Sequence, residues 1–323
     1  MSHIATYRTA ESVSPKHPDK ICDQISDAIL DAHLREDPLA RVAVDVAGGH
    51  GKLFITGEVS SRAKDVDVPA IVQRLVGEIE LIENIASQSL EIAAGVDTGG
   101  AGDQGIMTGY ATSETPEFLP LEVVLARQLN EYLYAIWPYD GKTQITLKNN
   151  KICGVVASFQ HVPSLKLQQA VEVWLSDKVT SGDVRVHVNP CGDWQIGGFD
   201  ADAGLTGRKL AVDNYGPRVA VGGGAFSGKD PSKVDRSAAY IARKIAVDYL
   251  KKRQAKEVAV RLAYAIGVAE PLEVTVMVDG VPERGVGYNL TPNGIIESLN
   301  LRRPIYEQTA RYGHFGHGFD WEK

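Results

Sequence analysis

The chain has 323 residues, of which 44% are hydrophobic and 23% are charged, and its formal net charge is −7. This composition is typical of a globular protein with a sizeable core, and it argues against nonspecific nucleic-acid binding, which depends on many distributed Lys and Arg side chains. The three cysteines are widely spaced and include no C-x-x-C pair, so neither a disulfide framework nor a zinc site is predicted. Residues 1–20 lack an apolar signal region, and no apolar run reaches the about 18 residues of a membrane span. We therefore expect a cytoplasmic protein that binds neither membranes nor nucleic acids.

The first predicted helix runs from about Pro18 to Glu36, where Asp37-Pro38 would end it. Apolar residues recur on one face of this helix. Asp23, Asp27 and Asp31 lie on another face at i, i+4 spacing. This spacing can indicate a metal site, but we favour a solvated helix face.

Strand and helix patterns alternate irregularly along the rest of the chain. Predicted strands cover about 41–46, 52–59, 143–148, 151–159, 184–189, 195–197, 209–213, 218–221, 258–266 and 273–278, and predicted helices cover about 69–91, 120–135 and 164–177. We expect strands 41–46 and 52–59 to form a hairpin across the turn at 48–51, and strands 143–148 and 151–159 to form another across Asn149-Asn150. Such hairpins lying between helices favour an α+β fold with sheets covered on one face rather than a doubly wound parallel sheet.

The most informative segment is residues 222–233, GGGAFSGKDPSK, which precedes a helical pattern starting at Val234. Glycines let backbone N–H groups approach an anion, and a helix N-terminus favours negative charge. Lys229 and Lys233 add two ammonium groups. The segment nearly matches a P-loop, G-x-x-x-x-G-K, but Asp230 stands where a P-loop has the Ser or Thr that binds magnesium. We predict a polyphosphate site that is not a P-loop, and a glycine-rich turn with solvated lysines is the alternative.

A second candidate site lies at the entrance to the first helix, in the sequence SPKHPDK at 14–20. His17 can hydrogen-bond a phosphate oxygen, Asp19 can ligate Mg²⁺, and Lys20 can balance the charge. A helix cap with a proline-fixed turn is the alternative. Further glycine-rich or basic turns at 99–105, 140–142 and 204–209 are by themselves typical of surface loops.

Taken together, these segments resemble the S-adenosylmethionine synthetase family, also called methionine adenosyltransferase, across essentially the whole chain. Motifs in the family's order are ESVS at 11–14, HPDK at 17–20, GAGDQG at 100–105, GGGAFSGKDP at 222–231, DRSAAY at 235–240, YAIGVA at 264–269 and YGHFG at 312–316. The resemblance implies attack of the methionine sulfur on C5′ of ATP, giving S-adenosylmethionine, with hydrolysis of the triphosphate to phosphate and diphosphate.

The resemblance also implies cofactors, domains and partners. It implies Mg²⁺, about two ions per site, and K⁺. It implies three similar, intertwined α/β domains around a pseudo-threefold axis, over about 1–92, 99–197 and 198–323. The expected assembly is a homodimer with active sites between its subunits, or a homotetramer.

The site residues are carried over from the family position by position. The catalytic residues are His17, Lys142, Arg208, Lys229 and Asp235. The ATP contacts are His17, Asp140, Gly141, Lys142, Asp193, Trp194, Asp202, Arg208, Lys209, Ala225 and Lys229. The methionine contacts are Glu58, Gln88, Asp103, Asp202 and Lys233. The metal ligands are Asp19 and Asp235 for Mg²⁺ and Asp45 for K⁺.

The chain departs from the family pattern at several positions. Lys16 replaces the usual Gly before His17, Asp45 is one methylene shorter than the family's Glu, and the segment from Gln88 to Gly99 is shorter than the family's mobile loop. Two rival functions stay open from the residues alone: a P-loop-type kinase or NTPase, and a degenerate, nonenzymatic partner of an active subunit. The second is weakened because the charged site residues are present.

Overall fold

The computed structural model describes residues 6–87 and 99–323. Within these ranges the strands are β1 (Tyr7–Val13), β2 (Arg41–Gly49), β3 (Lys52–Ser60), β4 (Glu80–Ala86), β5 (Gly105–Thr112), β6 (Gly141–Lys148), β7 (Lys151–Phe159), β8 (Thr180–Val188), β9 (Gly204–Leu205), β10 (Glu257–Tyr264), β11 (Glu273–Val278) and β12 (Val281–Pro282). The helices there are α1 (Pro18–Glu36), α2 (Val68–Val76), α3 (Leu121–Ile136), α4 (Ser164–Leu175), α5 (Leu210–Asp213), α6 (Val234–Arg253) and α7 (Pro292–Ser298).

The described strands form three four-stranded sheets, in the orders β1-β6-β7-β8, β4-β3-β2-β9 and β12-β11-β10-β5. Each sheet combines strands that are distant in sequence. β1 pairs with β6, β2 with β9, and β5 with β10, all antiparallel. Pairing between strands that are distant in sequence brings separate sequence motifs close together in the fold.

A long helix packs on each sheet and carries its apolar face into the core. α1 lies against β2, α3 against β1 and β6, and α6 against β5 and β10. Buried residues of the first and last of these helices belong to one continuous core, whereas α3 and α4 enclose a second core on the β6–β7 hairpin. Mixed sheets covered in this way confirm the predicted α+β class.

Several predicted elements are confirmed closely. The first helix has the predicted bounds. The two predicted hairpins form, β2 with β3 and β6 with β7. The second turns at Asn149 and Asn150, whose φ angles of 51° and 63° suit the asparagine-rich tight turn of a hairpin.

Other predicted elements are wrong. The helix expected over 69–91 ends at Val76, because Gly77 adopts a φ of 81°, and residues 80–86 form β4, parallel to β3. Residues 209–213 form a helical turn rather than a strand, with the N–H of Asp213 bonded to the carbonyl of Lys209. Residues 195–197 and 218–221 are not strands, and β1 was not predicted. Short apolar runs do not distinguish a strand from a helix turn or a loop unless a pairing edge is known.

The acidic face of α1 is buried, so the prediction of a solvated face is wrong. Asp23, Asp27 and Asp31 are at most 6% exposed. Each carboxylate accepts a backbone N–H from a segment that closes over the helix, from Gly207, Gly228 and Tyr306 respectively. The metal alternative also lacks support, because no group of three His, Cys, Asp or Glu residues that could hold a metal occurs in the described ranges.

None of the helices in the described ranges combines the length and the apolar character that crossing a membrane requires.

The C-terminal segment closes over α6 through a buried histidine. The Tyr240 hydroxyl lies 2.7 Å from His314 Nδ1, and the ring of Tyr240 stacks on that of Trp321 at a centroid distance of 4.0 Å. His314 is fully buried, and desolvation, reinforced by Arg236, holds its pKa well below the ordinary value. The folded chain therefore keeps this imidazole neutral.

We expect the folded state to lose stability as the pH falls below about 6.5, the ordinary pKa of histidine. In that window the unfolded His314 binds a proton that the buried side chain does not, at a cost of at most about 1.4 kcal/mol per pH unit. Denaturant unfolding at about pH 7.5 and about pH 5.5 should show a smaller pH effect in His314→Asn than in the wild type. Equal pH effects in the two proteins would contradict the assignment.

Candidate active site

His17 caps the N-terminus of α1. Its Nδ1 accepts the N–H of Asp19 at 3.2 Å, and Pro18 occupies the first helical position. Burial, together with the charge of Lys209, lowers the pKa of His17 to about 4. A neutral imidazole that accepts at Nδ1 carries its proton on Nε2, so His17 offers one N–H donor at neutral pH.

Asp19 is a buried carboxylate that binds β9 and the loop that follows it. It accepts the N–H of Leu205 at 2.9 Å and forms an ion pair with Lys209, and Arg208 Nε lies 3.4 Å from its Oδ1. Burial would raise the pKa of Asp19, but the Lys209 ammonium and the Leu205 N–H outweigh it, and the pKa lies below its ordinary value. The adjacent cations Arg208 and Lys209, about 190 residues away in sequence, are thereby held beside the start of α1.

The loop before β6 lies next to this position. Asp140 accepts the N–H of Gly198 at 2.9 Å, and burial raises its pKa. Lys142 pairs with Glu11 across the β1–β6 ladder, with Nζ 2.8 Å from Oε2. Lys142 and Asp202 both lie near enough to affect the pKa of His17.

We call the predicted site residues at the start of α1, together with those of the 202–209 segment and of the loop leading into β6, the entrance cluster. It consists of His17, Asp19, Asp140, Gly141, Lys142, Asp202, Arg208 and Lys209.

A second set lies where the segment after the glycine-rich stretch runs along the edge of β2. The N–H of Val44 bonds to the carbonyl of Gly228, and the N–H of Asp230 bonds to that of Val42. Lys229, between them, forms an ion pair with Asp235 at the start of α6. These bonds fix Lys229 relative to both β2 and α6.

Asp45 and Glu58 lie near Lys229 on β2 and β3. Desolvation raises the pKa of Asp45, Lys229 opposes this shift, and the charge of Glu58 adds to it. Lys233 forms an ion pair with Asp230. We call Asp45, Glu58, Lys229, Asp230, Lys233 and Asp235 the β2-edge cluster.

The structure contradicts two details expected around the glycine-rich segment, the strand at 218–221 and the solvated lysines of the alternative, and the polyphosphate site itself stays a prediction. No strand precedes it, and both of its lysines are bound to carboxylates rather than solvated. Asp230, which would repel phosphate in a P-loop, instead binds Lys233 and accepts the N–H of Val42 at 2.7 Å. Its charge is thus compensated within the fold.

Three other predicted site residues bond to partners outside these clusters. Asp193 accepts the N–H of Ser164 at 2.9 Å, Trp194 donates to Asn189 at 3.3 Å, and Asp103 accepts the N–H of its neighbour Gln104 at 2.7 Å. Within residues 6–87 and 99–323, no hydrogen bond or ion pair joins Asp193, Trp194 or Asp103 to either cluster, or one cluster to the other.

Ala225 packs against Gly207, since a Cβ built on that glycine would lie 2.4 Å from the Ala225 Cβ. Gln88 lies outside the described residues.

Two lysines near the entrance have roles that the sequence did not indicate. Lys16 donates to the carbonyl of Leu75 at 3.2 Å rather than adding a free cation at the turn. Lys20 is fully buried between Asp23 and Asp213, at 2.9 and 2.6 Å, so it acts inside the fold and not on a ligand. The sequence signal that could have indicated a buried partner for Lys20 is the i, i+4 spacing of the aspartates on α1, one of which, Asp23, binds it.

Comparison with known proteins identifies the family. Family models described as the N-terminal, central and C-terminal domains of S-adenosylmethionine synthetase match residues 5–97, 98–194 and 196–323. The chain belongs to the S-adenosylmethionine synthetase family. The resemblance and the three-domain α+β fold expected from the motifs are confirmed.

Relatives within this family match along nearly their whole length. The S-adenosylmethionine synthase of Clostridium tetani is 42% identical over 95% of this chain and 93% of its own length. Those of Desulforudis audaxviator and Corynebacterium kroppenstedtii are each 41% identical over 98% of this chain and 95% of their own lengths. These matches cover nearly the whole of this chain and of each relative.

We expect Gly204→Ala to disrupt the entrance cluster, because its Cβ would lie 2.3 Å from the carbonyl of Pro18. The loop bearing Arg208 and Lys209 would move away from Asp19. Tripolyphosphate binding, measured by calorimetry, should weaken by about tenfold, as expected for losing one charge-assisted contact. Gly287→Ala, whose Cβ meets nothing within 4 Å, is the matched control. Equal tripolyphosphate affinities in the two variants would contradict the prediction that the loop bearing Arg208 and Lys209 binds phosphate.

Proposed function

We propose that this chain synthesises S-adenosylmethionine from ATP and L-methionine. The observation that carries the proposal is the consecutive match of all three family domains along residues 5–323. The two clusters support it, since they hold the cations that a triphosphate leaving group needs. A P-loop kinase is not supported, because Asp230 is bound to β2 and Lys233.

The chemistry requires alignment and stabilisation of the leaving group. The methionine sulfur is a neutral nucleophile without a proton to lose, so its attack on C5′ needs no general base. As the C5′–O bond breaks, negative charge grows on the triphosphate. Fixed cations near that oxygen then bind the transition state more tightly than the substrate.

In this proposal the entrance cluster receives the triphosphate. His17 Nε2–H donates to the departing oxygen, and its low pKa keeps the imidazole in this neutral donor form at neutral pH. Arg208, Lys209 and Lys142 bind the phosphates, and Asp140, Gly141 and Ala225 contact ATP. A cavity of about 460 Å³, lined in part by Asp140 and Gly198, opens beside this cluster. In this proposal Asp193 and Trp194 reach ATP from the loop after β8.

The β2-edge cluster supplies the remaining roles. Lys229 acts on the leaving triphosphate. Lys233 and Glu58, with Asp103, Asp202 and Gln88, bind methionine. The clustering of Glu58 near Lys229 supports placing the amino acid close to the transferred group.

Mg²⁺ fits the carboxylates of both clusters. Asp19 forms an ion pair with Lys209, and Asp235 forms one with Lys229. Each carboxylate therefore already stabilises a positive charge beside it and is suited to bind a metal cation. Magnesium in phosphate-transfer sites is held by one or two protein carboxylates plus substrate phosphates, so a larger protein ligand set is not needed. When bound, Mg²⁺ would neutralise charge on the triphosphate. We further propose that Asp45 contacts K⁺.

We propose that the complete site forms between two subunits of a homodimer, with a homotetramer as the alternative. The support is the family resemblance, which implies such an assembly, and the grouping of most proposed site residues into two clusters that no ion pair joins in the described part of one chain. We propose intertwined domains over about 1–92, 99–197 and 198–323, which is supported by the pairing of β1 with β6, β2 with β9 and β5 with β10. A cytoplasmic location is supported by the free thiols of Cys22, Cys153 and Cys191.

The test is to incubate the purified chain with ATP, L-methionine, Mg²⁺ and K⁺. Methionine-dependent S-adenosylmethionine, detected by mass spectrometry, should appear with matching phosphate and diphosphate. Omitting Mg²⁺, or replacing K⁺ by Na⁺, tests each ion separately. Phosphate without the sulfonium product would indicate an NTPase, and no turnover would indicate an inactive partner.

We expect Lys229→Met to lower kcat by about 10²-fold or more while methionine KM changes little, because the lost charge acts mainly on the developing triphosphate. Steady-state kinetics of product formation measures both constants. Lys166→Met, which removes an exposed lysine on α4, is the control. Unchanged turnover in Lys229→Met would remove this residue from the mechanism.

A further inference from the structure

The buried aspartates of α1 connect two segments that the proposed mechanism uses. Asp23 and Asp27 are one helical turn apart, and both are completely buried. Each uses one oxygen to accept a backbone N–H and the other to bind a cation. The backbone groups they hold immediately precede the proposed phosphate-binding cations.

Asp27 fixes Lys229 from both sides of the chain. Its Oδ1 accepts the N–H of Gly228 at 2.8 Å, and its Oδ2 binds Arg236 at 2.7 Å. Arg236 in turn donates to the carbonyl of Lys229 at 2.8 Å. Gly228 has a φ of 81°, and a Cβ there would lie 2.0 Å from the carbonyl of Val44, so the chain can pass only with glycine at this position.

Asp23 holds the Arg208-Lys209 segment in a parallel way. Its Oδ1 accepts the N–H of Gly207 at 2.8 Å, and Gly207 also has a positive φ, of 78°. Its Oδ2 binds Lys20 at 2.9 Å, and Lys20 reaches Asp213 at 2.6 Å. Asp213 ends the helical turn that begins after Lys209, so the segment is fixed at both of its ends.

We propose that Asp23 and Asp27 are positioning residues that set the Arg208-Lys209 and Lys229 segments for the departing triphosphate. This inference rests on the proposed function. Neither carboxylate is exposed to a ligand, so both act through the backbone and through Lys20 and Arg236. Charge-assisted bonds in a water-excluded setting hold these loops more rigidly than neutral bonds would.

Asp31 provides an internal control on the same face of α1. It is also buried, and it accepts the N–H groups of Tyr306 and Glu307 at 2.9 Å each. Neither of those residues belongs to the proposed site. The Tyr306 ring packs on the Arg236 guanidinium at 4.5 Å, but the bond that holds Lys229 comes from Arg236 and Asp27. Loss of Asp31 should therefore affect stability without displacing a phosphate-binding cation.

The experiment compares Asp23→Asn, Asp27→Asn and Asp31→Asn in the full chain, after the wild type has been shown to make S-adenosylmethionine. Asparagine keeps the size of aspartate and one acceptor oxygen for the backbone N–H. Its amide NH2 replaces the oxygen that faces Lys20 or Arg236, so the bond to that cation is lost. We expect kcat per folded protein to fall by about 10²-fold in the first two variants, as for small displacements of reacting groups. Methionine KM should change by less than about threefold, and tripolyphosphate hydrolysis should fall in parallel with kcat.

Asp31→Asn should lower the melting temperature but leave kcat within about twofold of the wild type. Because Asp27→Asn leaves a buried arginine without its counter-charge and can fail to fold, Arg236→Lys is a second test. It keeps the ion pair but lacks the second guanidinium nitrogen that reaches the carbonyl of Lys229, so kcat should again fall.

Two results would overturn the inference while leaving the proposed function intact. One is normal kcat in folded Asp23→Asn and in folded Asp27→Asn or Arg236→Lys. The other is an equal loss of kcat in Asp31→Asn, which would indicate a general effect on the fold. A wild-type chain that makes no S-adenosylmethionine would instead overturn the proposed function itself, and with it this inference.

Discussion

Helix α1 buries a row of carboxylates from Asp19 to Asp31, and the loops of the fold close onto that row. A buried carboxylate is costly unless hydrogen bonds and an opposite charge compensate it. Here the compensation comes from backbone N–H groups at 205, 207, 228 and 306 and from buried cations. The same requirement that stabilises α1 therefore determines where the loops that carry the proposed phosphate-binding cations lie.

The charges of the candidate site are compensated in the free protein. Lys209 forms an ion pair with Asp19 and Lys229 with Asp235, so each ammonium group is held by a carboxylate. Preorganised charges of this kind need little rearrangement when charge develops during a reaction, and this is the main source of electrostatic catalysis. His17 is held as a neutral donor beside them, because burial lowers its pKa to about 4.

Local patterns in the sequence were sufficient for elements with a clear period or turn. The helix at Pro18–Glu36 and the hairpin at Asn149-Asn150 are examples. The helix expected after residue 69 failed at Gly77, because pairing with β3 decides whether residues 80–86 are extended. Asp23, Asp27 and Asp31 were wrongly placed in solvent for a similar reason. Their partners lie about 180 to 280 residues away, and no local pattern shows such partners. The motif resemblance identified the candidate cations, but it did not show that they form two clusters.

The most direct test of the proposed site is a crystal structure of the protein with a nonhydrolysable ATP analogue, L-methionine and Mg²⁺. The triphosphate should contact Arg208 and Lys209 of the entrance cluster and Lys229 of the β2-edge cluster, supplied by one subunit or by two. A triphosphate that contacts only one cluster, or that binds away from α1 and β2, would contradict the proposal that both clusters act on the same leaving group.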